Sequence, residues 1–384
     1  MLMRVLIYWS IGGIGGIQRI YTMLAKALTE CGHSVTILTN RSLNPLEVTE
    51  MHGVHLSGVN IITPPHLTCI NPLCDVVNSI IGSSKLYGLV NDYDAVYIDD
   101  LALGSLTINE LIKHSGLIFY MHGLIDRVKI YVPLSKPHRM FINAITALRS
   151  SYRLIREAKL LLANSAFTSY VAYKTIGIRP RVLHPPVDTG LVAKFRSSIR
   201  ENAVVSLGRL GAAKGHEFAI RLIQGLKERG IDAKLYIMGS ASDAASRLYA
   251  LRLINLAKRL NVHDRVTLIL NSPLSKVYSI LGKSKVFVQA KWGEPFGIVV
   301  VEAMAAGSVP IVPKSGGPWH DIVFYGKYGY GYSNLSEAID AAEGVLTSDS
   351  EYGKLSEIVM RRAEEFSYNV FKNKVCRFLD ELGN

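Results

Sequence analysis

Acidic residues are short in this chain: 31 Asp and Glu stand against 43 Lys and Arg, leaving a formal net charge of +12 over 384 residues. Cysteine is rarer still. The four present, Cys31, Cys69, Cys74 and Cys376, follow no metal-ligand spacing, and a disulfide framework is not expected in an intracellular chain of this size, so all four read as free thiols. No apolar run reaches the ~18 to 20 residues that span a bilayer, and the stretch from Met1 to Tyr8 is too short for a signal peptide. A cytoplasmic protein is the expectation. Repeats and low-complexity segments are missing as well, and the composition argues against a disordered chain.

What is present is a folded α/β pattern. Hydrophobic residues make up 49% of the chain, and its length suits two domains of roughly 180 residues, each able to bury its own core. Arg4 to Tyr8 reads as a buried strand, Ile11 to Gly16 as a glycine-rich turn, Gln18 to Thr29 as an amphipathic helix and Ser34 to Thr39 as the next strand. Further strands are expected at Ala95 to Ile98, Gly116 to Met121 and Leu160 to Ala163. After Asp188 the alternation starts afresh, with strands at Val204 to Leu207, Ala233 to Met238, Val266 to Ile269, Val286 to Gln289 and Val309 to Val312. Strands alternating with helices imply parallel sheets covered on both faces.

The richest segment runs from Glu294 to Pro318. Pro295 suits the first turn of a helix and Gly307 its end, so Glu294 is expected just before the helix and Glu302 inside it. The helix start at Phe296, Gly297 and Ile298 offers free N–H groups and a positive dipole end that attract phosphate. Carboxylates there would repel phosphate and are better matched to hydroxyl groups, and phosphate beside polyol is what a nucleotide sugar presents. The plainer reading, an amphipathic helix with a glutamate at each end, is opposed by a second cluster. Val204 to Leu207 leads through Gly208 to Arg209 and Lys214, two cations at the carboxyl end of a strand, where open α/β sheets bind ligands. An Arg fork and a Lys point charge suit a diphosphate.

Three features invite other readings. Gly12-Gly13-Ile14-Gly15-Gly16 resembles a dinucleotide-binding turn, but G-x-G-x-x-G is not cleanly met and no acid closes the second strand at Thr39 or Asn40. Asp92-Tyr93-Asp94 has the D-x-D form of a metal motif, yet it precedes a strand, at the end away from the ligand face. Arg209, Lys214 and the helix dipole already offset a diphosphate, so no metal or other cofactor is expected. His122 follows the strand Gly116 to Tyr120 at its carboxyl end, where a side chain can project toward a ligand; a lone histidine is otherwise structural.

Arg209 with Lys214 and the E-x7-E pair Glu294 and Glu302 together resemble the retaining GT-B glycosyltransferases of family 4 (GT4). Gly15-Gly16, Gly32-His33-Ser34-Val35, Asn164-Ser165, Phe167-Thr168 and Pro185-Pro186-Val187-Asp188 extend the likeness in order over nearly the whole chain. The resemblance implies two Rossmann-like domains with parallel sheets facing across a cleft, at 1–188 for the acceptor and 189–365 for the nucleotide sugar. A terminal helix at 366–384 would cross back to the first domain. It implies that Gly15 and Gly16 let the backbone approach the donor phosphate, although a tight turn needing small residues explains them too. It assigns His122 to the sugar and the anomeric region, Glu294 to the hexose hydroxyls and Glu302 to the ribose hydroxyls, with Ser240 lining the donor pocket. Phe296 to Val323 is most similar to the eukaryotic mannosyltransferases that extend a lipid-linked oligosaccharide with α1,2-mannose. That group usually carries His at the position of Glu294. The donor is therefore expected to be GDP-mannose or a UDP-sugar. Because no residue fills the role of a protein nucleophile, the implied chemistry is front-side attack with retention, Arg209 and Lys214 stabilising the diphosphate leaving group.

Between Arg127 and Lys159 the chain is both basic and apolar: Arg127, Lys129, Arg139, Arg149 and Arg153 interleave with Ile130, Val132, Phe141 and Leu148. Such a segment either lies on an anionic membrane, which would favour a lipid-linked acceptor at the cytoplasmic face, or packs its apolar stripe on the first sheet. A soluble sugar or sugar phosphate is the alternative acceptor. A sequence pI near 9.4 also raises nucleic-acid binding, but no helix-turn-helix, zinc-finger or aromatic single-strand motif supports it.

Overall fold

The computed structural model describes residues 2–9, 16–39, 54–64, 84–99, 113–123 and 151–383, together with positions 49, 81 and 111. The chain forms two compact units, residues 1–185 with 371–384 and residues 186–370.

In the first unit, β1 (Arg4–Trp9), β2 (Ser34–Thr39), β3 (Val59–Ile62), β4 (Ala95–Asp99), β5 (Leu117–Met121), β6 (Leu160–Ala163) and β7 (Arg181–Val182) form a seven-stranded sheet in the order β3-β2-β1-β4-β5-β6-β7. Every pairing is parallel; Val5 lies opposite Val35 on one side and Ala95 on the other. Strands of such a sheet are covered on both faces, and β4 and β5 are buried at every position. The helix Gly16–Glu30 follows β1, two residues earlier than the apolar period suggests. The helix Ala166–Ile176 starts at Ser165, whose hydroxyl accepts from the Thr168 N–H at 2.9 Å, and stops at Gly177 with φ 74°. Strands β3 and β7 escaped the sequence reading, being short and lying at the sheet edges. The Asp92-Tyr93-Asp94 run sits at the amino end of β4. There Asp94 accepts a hydrogen bond from the Arg4 N–H at 2.7 Å, tying β4 to β1.

The terminal helix Tyr368–Gly383 buries Phe371, Val375, Phe378 and Leu379, and its residues from Phe371 onward belong to the first unit. Arg181 on β7 lies over the Phe378 ring and pairs with Glu381, while Lys372 reaches Glu30 at 3.0 Å. Here the free-thiol reading is corrected for two residues. Cys31, just past the first helix, and Cys376 are disulfide-bonded with Cα atoms 6.2 Å apart, although 345 positions separate them. Sequence spacing carried no trace of this pairing, because only the docking of the terminal helix brings them together. Cys69 and Cys74 lie outside the described residues.

The second unit holds β8 (Glu201–Leu207), β9 (Lys234–Gly239), β10 (Val266–Leu270), β11 (Ser284–Val288), β12 (Val309–Pro313) and β13 (Tyr330–Tyr332) in the order β10-β9-β8-β11-β12-β13, again all parallel. Successive residues feed opposite faces: Val204, Val286 and Ile311 enter one core, Val205, Phe287 and Val312 the other. The chain winds outward from β8 to β10 and then returns to β11. The carboxyl ends of β8 and β11 therefore flank a topological switch point, where such sheets bind ligands. Among the described residues, no helix is long and apolar enough to cross a membrane.

Closing so long a loop removes on the order of 5 kcal/mol of denatured-chain entropy in the simplest model. Reduction, or Cys376→Ser, is therefore expected to lower the thermal midpoint by several degrees. Calorimetry with and without reductant checks this, and non-reducing peptide mapping should recover the Cys31–Cys376 cross-link.

Candidate active site

Beyond β8 the chain turns at Gly208, whose N–H donates to the Met238 carbonyl at 3.0 Å. A Cβ at Gly239 would fall 2.0 Å from the Gly208 carbonyl oxygen, so glycine there is what lets the loops after β8 and β9 touch. Lys214 sits in the short 3₁₀ turn Ala212–Lys214; Gly215, with φ 67°, separates it from the helix His216–Glu228. A Cβ on Gly215 would meet Ala290 Cβ at 3.2 Å, so this loop rests on the one that follows β11.

That contact brings Lys214 to Glu294. Lys214 Nζ lies 2.9 Å from Glu294 Oε2, and Lys291 Nζ lies 3.3 Å from the same oxygen. The Glu294 side chain is only 14% exposed. Burial pushes its carboxyl pKa up, but the charges of Lys214 and Lys291 and their hydrogen bonds more than offset this and hold it below the ordinary value. Beneath the Lys214 turn, the buried His216 shares a 2.8 Å hydrogen bond through Nδ1 with Ser206 Oγ, and burial lowers its pKa. Lys291, His216 and the exposed Trp292, whose ring meets Tyr332 edge-on at 6.0 Å, were not singled out from sequence. For Lys291 the i,i+3 spacing to Glu294 was the available signal.

The helix Ile298–Ala305 begins later than Pro295 suggests: Gly297, at φ 97°, is its N-cap. No side-chain hydrogen bond caps this end, and free N–H groups at a helix N-terminus are in general suited to an anion. Gly307 follows the last turn with φ 90°, as expected. Glu302 lies inside the helix, 4% exposed, and accepts from the Tyr278 hydroxyl at 2.9 Å. Phe296, expected at the donor site, is 2% exposed and turns its ring inward against Phe366. The Gly316-Gly317 turn closes over this entrance. The Gly317 N–H donates to the Glu294 carbonyl at 2.8 Å, and Cβ atoms at Gly316 and Gly317 would lie 2.5 Å from the Glu294 oxygen and 2.2 Å from the Pro295 oxygen.

Arg209 is exposed and, among the described residues, makes no ion pair with Glu294 or Glu302. Ser240 is exposed too, and its carbonyl accepts from the Leu210 N–H at 3.1 Å, which places it beside the Arg209 loop. In the first unit, Gly16 is the first residue of its helix, whereas Gly15 lies outside the described residues. His122 stands at the end of β5, but its imidazole is buried, 4.4 Å from the Tyr120 ring centroid and with Nε2 3.9 Å from Asp99 Oδ2. Burial drives its pKa down to about 3, so the ring is neutral near pH 7 and suited to hydrogen bonding, not to carrying charge. Arg127, Lys129, Arg139 and Arg149 lie outside the described residues, as does the side chain of Arg153.

Residues 191–352 match the family model for glycosyl transferases group 1, and residues 14–191 match that for glycosyltransferase family 4. The chain carries glycosyltransferase domains of both kinds. Among curated relatives, the Dictyostelium discoideum GDP-Man:Man(3)GlcNAc(2)-PP-Dol α-1,2-mannosyltransferase is 26% identical over 242 residues, 59% of this chain and 48% of that protein. The Yarrowia lipolytica protein of the same name is 33% identical over 156 residues, 37% of this chain and 24% of that one. The chain thus spans less than half the length of these relatives. Sucrose-phosphate synthase from Thermosynechococcus elongatus shares the fold, with a TM-score of 0.77 and 17% identity over 99% of this chain and 98% of that one. An Anabaena protein crystallised with UDP and glucose does so at 0.73 and 16%, over 99% and 100%. Both units therefore have the GT-B architecture of paired parallel-sheet α/β domains.

Two measurements probe this site. In Lys214→Met, burial gains the upper hand and the Glu294 pKa is expected to rise, which carboxyl-labelled NMR titration reads directly. In the native chain the depressed pKa contributes stability that is full above about 4.5, the unfolded value, and is lost as pH falls through the folded one. Gly316→Ala forces a side chain into a left-handed, occupied position and is expected to cost about 1–3 kcal/mol, measured by urea unfolding.

Proposed function

We propose that this chain is a retaining hexosyltransferase that moves mannose from GDP-mannose to a hydroxyl of a lipid-linked glycan at the cytoplasmic face of a membrane. The observation that carries the reading is the Lys214–Glu294 pair at the switch point of the second sheet, beside an uncapped helix N-terminus. Cationic and dipolar groups suited to a diphosphate there adjoin a carboxylate suited to sugar hydroxyls. The names of the curated relatives support mannose and a lipid-linked acceptor.

In this mechanism Arg209 and Lys214 stabilise the charge that develops on the departing diphosphate, aided by the main-chain donors of Gly297 and Ile298. That positive set supplies what a divalent ion would otherwise give, so the reaction is proposed to run without a metal. Glu294 accepts hydrogen bonds from the hexose hydroxyls. Glu302, oriented by Tyr278, holds the ribose. Neutral His122 offers a hydrogen bond near the anomeric carbon. The leaving phosphate oxygen takes the proton from the attacking hydroxyl on the same face, and configuration is retained.

Incubating the purified chain with GDP-mannose, GDP-glucose, UDP-glucose and UDP-N-acetylglucosamine, each with lipid-linked and soluble acceptors, and reading products by mass spectrometry tests the proposal. Transfer from GDP-mannose to the lipid-linked glycan is expected, with Glu294→Ala and Lys214→Ala each losing about 100- to 1000-fold in rate while remaining folded. Wild-type turnover in either variant would remove that residue from the mechanism. Transfer only to soluble sugars would overturn the acceptor assignment.

A further inference from the structure

The helix Ala244–Arg259 connects β9 to β10, the edge strand of the second sheet, and spans about 24 Å at 1.5 Å per residue. One side is ordinary core: Tyr249, Ala250, Leu253, Leu256 and Ala257 are buried, and the Tyr249 hydroxyl is held by Glu217 of the neighbouring helix. The other side is unusual in two ways. Leu248, Leu251 and Ile254 stand 51%, 57% and 38% exposed. The charges around them have one sign: the helix carries Arg247, Arg252, Lys258 and Arg259 and no Asp or Glu. Among the described residues, none of these four cations makes a salt bridge; Arg247 reaches the Ser242 carbonyl and lies near enough to Asp243 to help lower its pKa, whereas Arg252, Lys258 and Arg259 have no such neighbour. Asp243 at the amino end is occupied, capping the Ser246 N–H at 2.7 Å.

Spacing puts these features on one face. Positions 248, 251, 252, 255 and 259 follow the helical three-and-four repeat, so Leu248 and Leu251 share a face with Arg252 and Arg259. Exposed leucines flanked by unneutralised cations are costly in water and well matched to one surroundings, the boundary between lipid headgroups and acyl chains. There the aliphatic tips are buried and the long basic side chains reach back to phosphate. A nucleic acid would use the cations but leave the leucines wet, and this face offers no aromatic ring for base stacking.

We propose that the Ala244–Arg259 helix is a membrane-docking surface for an anionic bilayer, with Leu248, Leu251 and Ile254 entering the headgroup boundary and the four cations pairing with lipid phosphates. The helix belongs to the second unit and is a different stretch of sequence from 127–159, and the proposal stands independently of the transfer chemistry.

Flotation of the full chain with vesicles of phosphatidylcholine alone, or mixed with phosphatidylglycerol, tests it. Binding is expected only with the anionic lipid and should weaken as salt rises. Charge reversal in Arg252→Glu/Lys258→Glu/Arg259→Glu is expected to reduce partitioning about a hundredfold. Leu248→Ser/Leu251→Ser should reduce it at least about tenfold with all charges kept. All five positions are exposed, and thermal melts confirm folding. Leu251→Trp supplies a local readout: the fluorescence it introduces should shift to the blue on anionic vesicles alone. Undiminished flotation of the charge-reversed chain, unshifted fluorescence from the Leu251→Trp variant, or binding to an RNA oligomer without binding to vesicles would overturn the proposal. Donor and acceptor are absent from these assays, so failure here leaves the transferase reading intact, and failure there leaves this one.

Discussion

A carboxylate withdrawn from water must find positive charge, and the second unit is built around one such group. Glu294 is largely buried, and Lys214 and Lys291 keep it ionised from two directions. Lys214 can reach it only because the loop after β8 lies on the loop after β11, which the parallel pairing of those strands and the small residues Gly215 and Ala290 allow. The local chemistry thus depends on the sheet order, which places side by side two loops whose paired residues are 80 positions apart.

Backbone proximity sets how tightly that arrangement is held. Three glycines, Gly239, Gly316 and Gly317, stand where any side chain would collide with a carbonyl of another loop. The last two seat a turn directly on Glu294 and Pro295, so the carboxylate is positioned by main-chain contact as well as by ion pairing. Tyr278 performs a similar service for Glu302 through a hydrogen bond in an otherwise apolar core.

The excess of cations divides into separate uses. Some are consumed structurally, as Lys285 is, buried between Asn202 and Asp349 at 2.6 Å from each. Lys214 and Lys291 face the site carboxylate. Others, such as Arg252, Lys258 and Arg259, face solvent beside exposed leucines and, among the described residues, make no ion pair. A net charge of +12 therefore does not describe one binding surface, and the partners implied by each group differ.

Periodicity and turn residues made most of the central strands legible: Ser34–Thr39 and Leu160–Ala163 match to the residue, because a strand buried on both faces is a continuous apolar run. Arg209, Lys214, Glu294 and Glu302 stood out as candidates for a similarly local reason, since cations after a strand and carboxylates around a helix start are sequence patterns; of these, the fold joins Lys214 to Glu294. Short edge strands such as Arg181–Val182 have too few residues to show a pattern. Tertiary structure alone decided the rest. It brought Cys31 to Cys376, buried His122 deeply enough to keep it neutral, turned Phe296 inward and left Arg209 in solvent while Lys214 and Lys291 shared Glu294. Each of those outcomes depends on which distant segments touch, and the free energy of a contact between remote residues leaves no periodic mark on either.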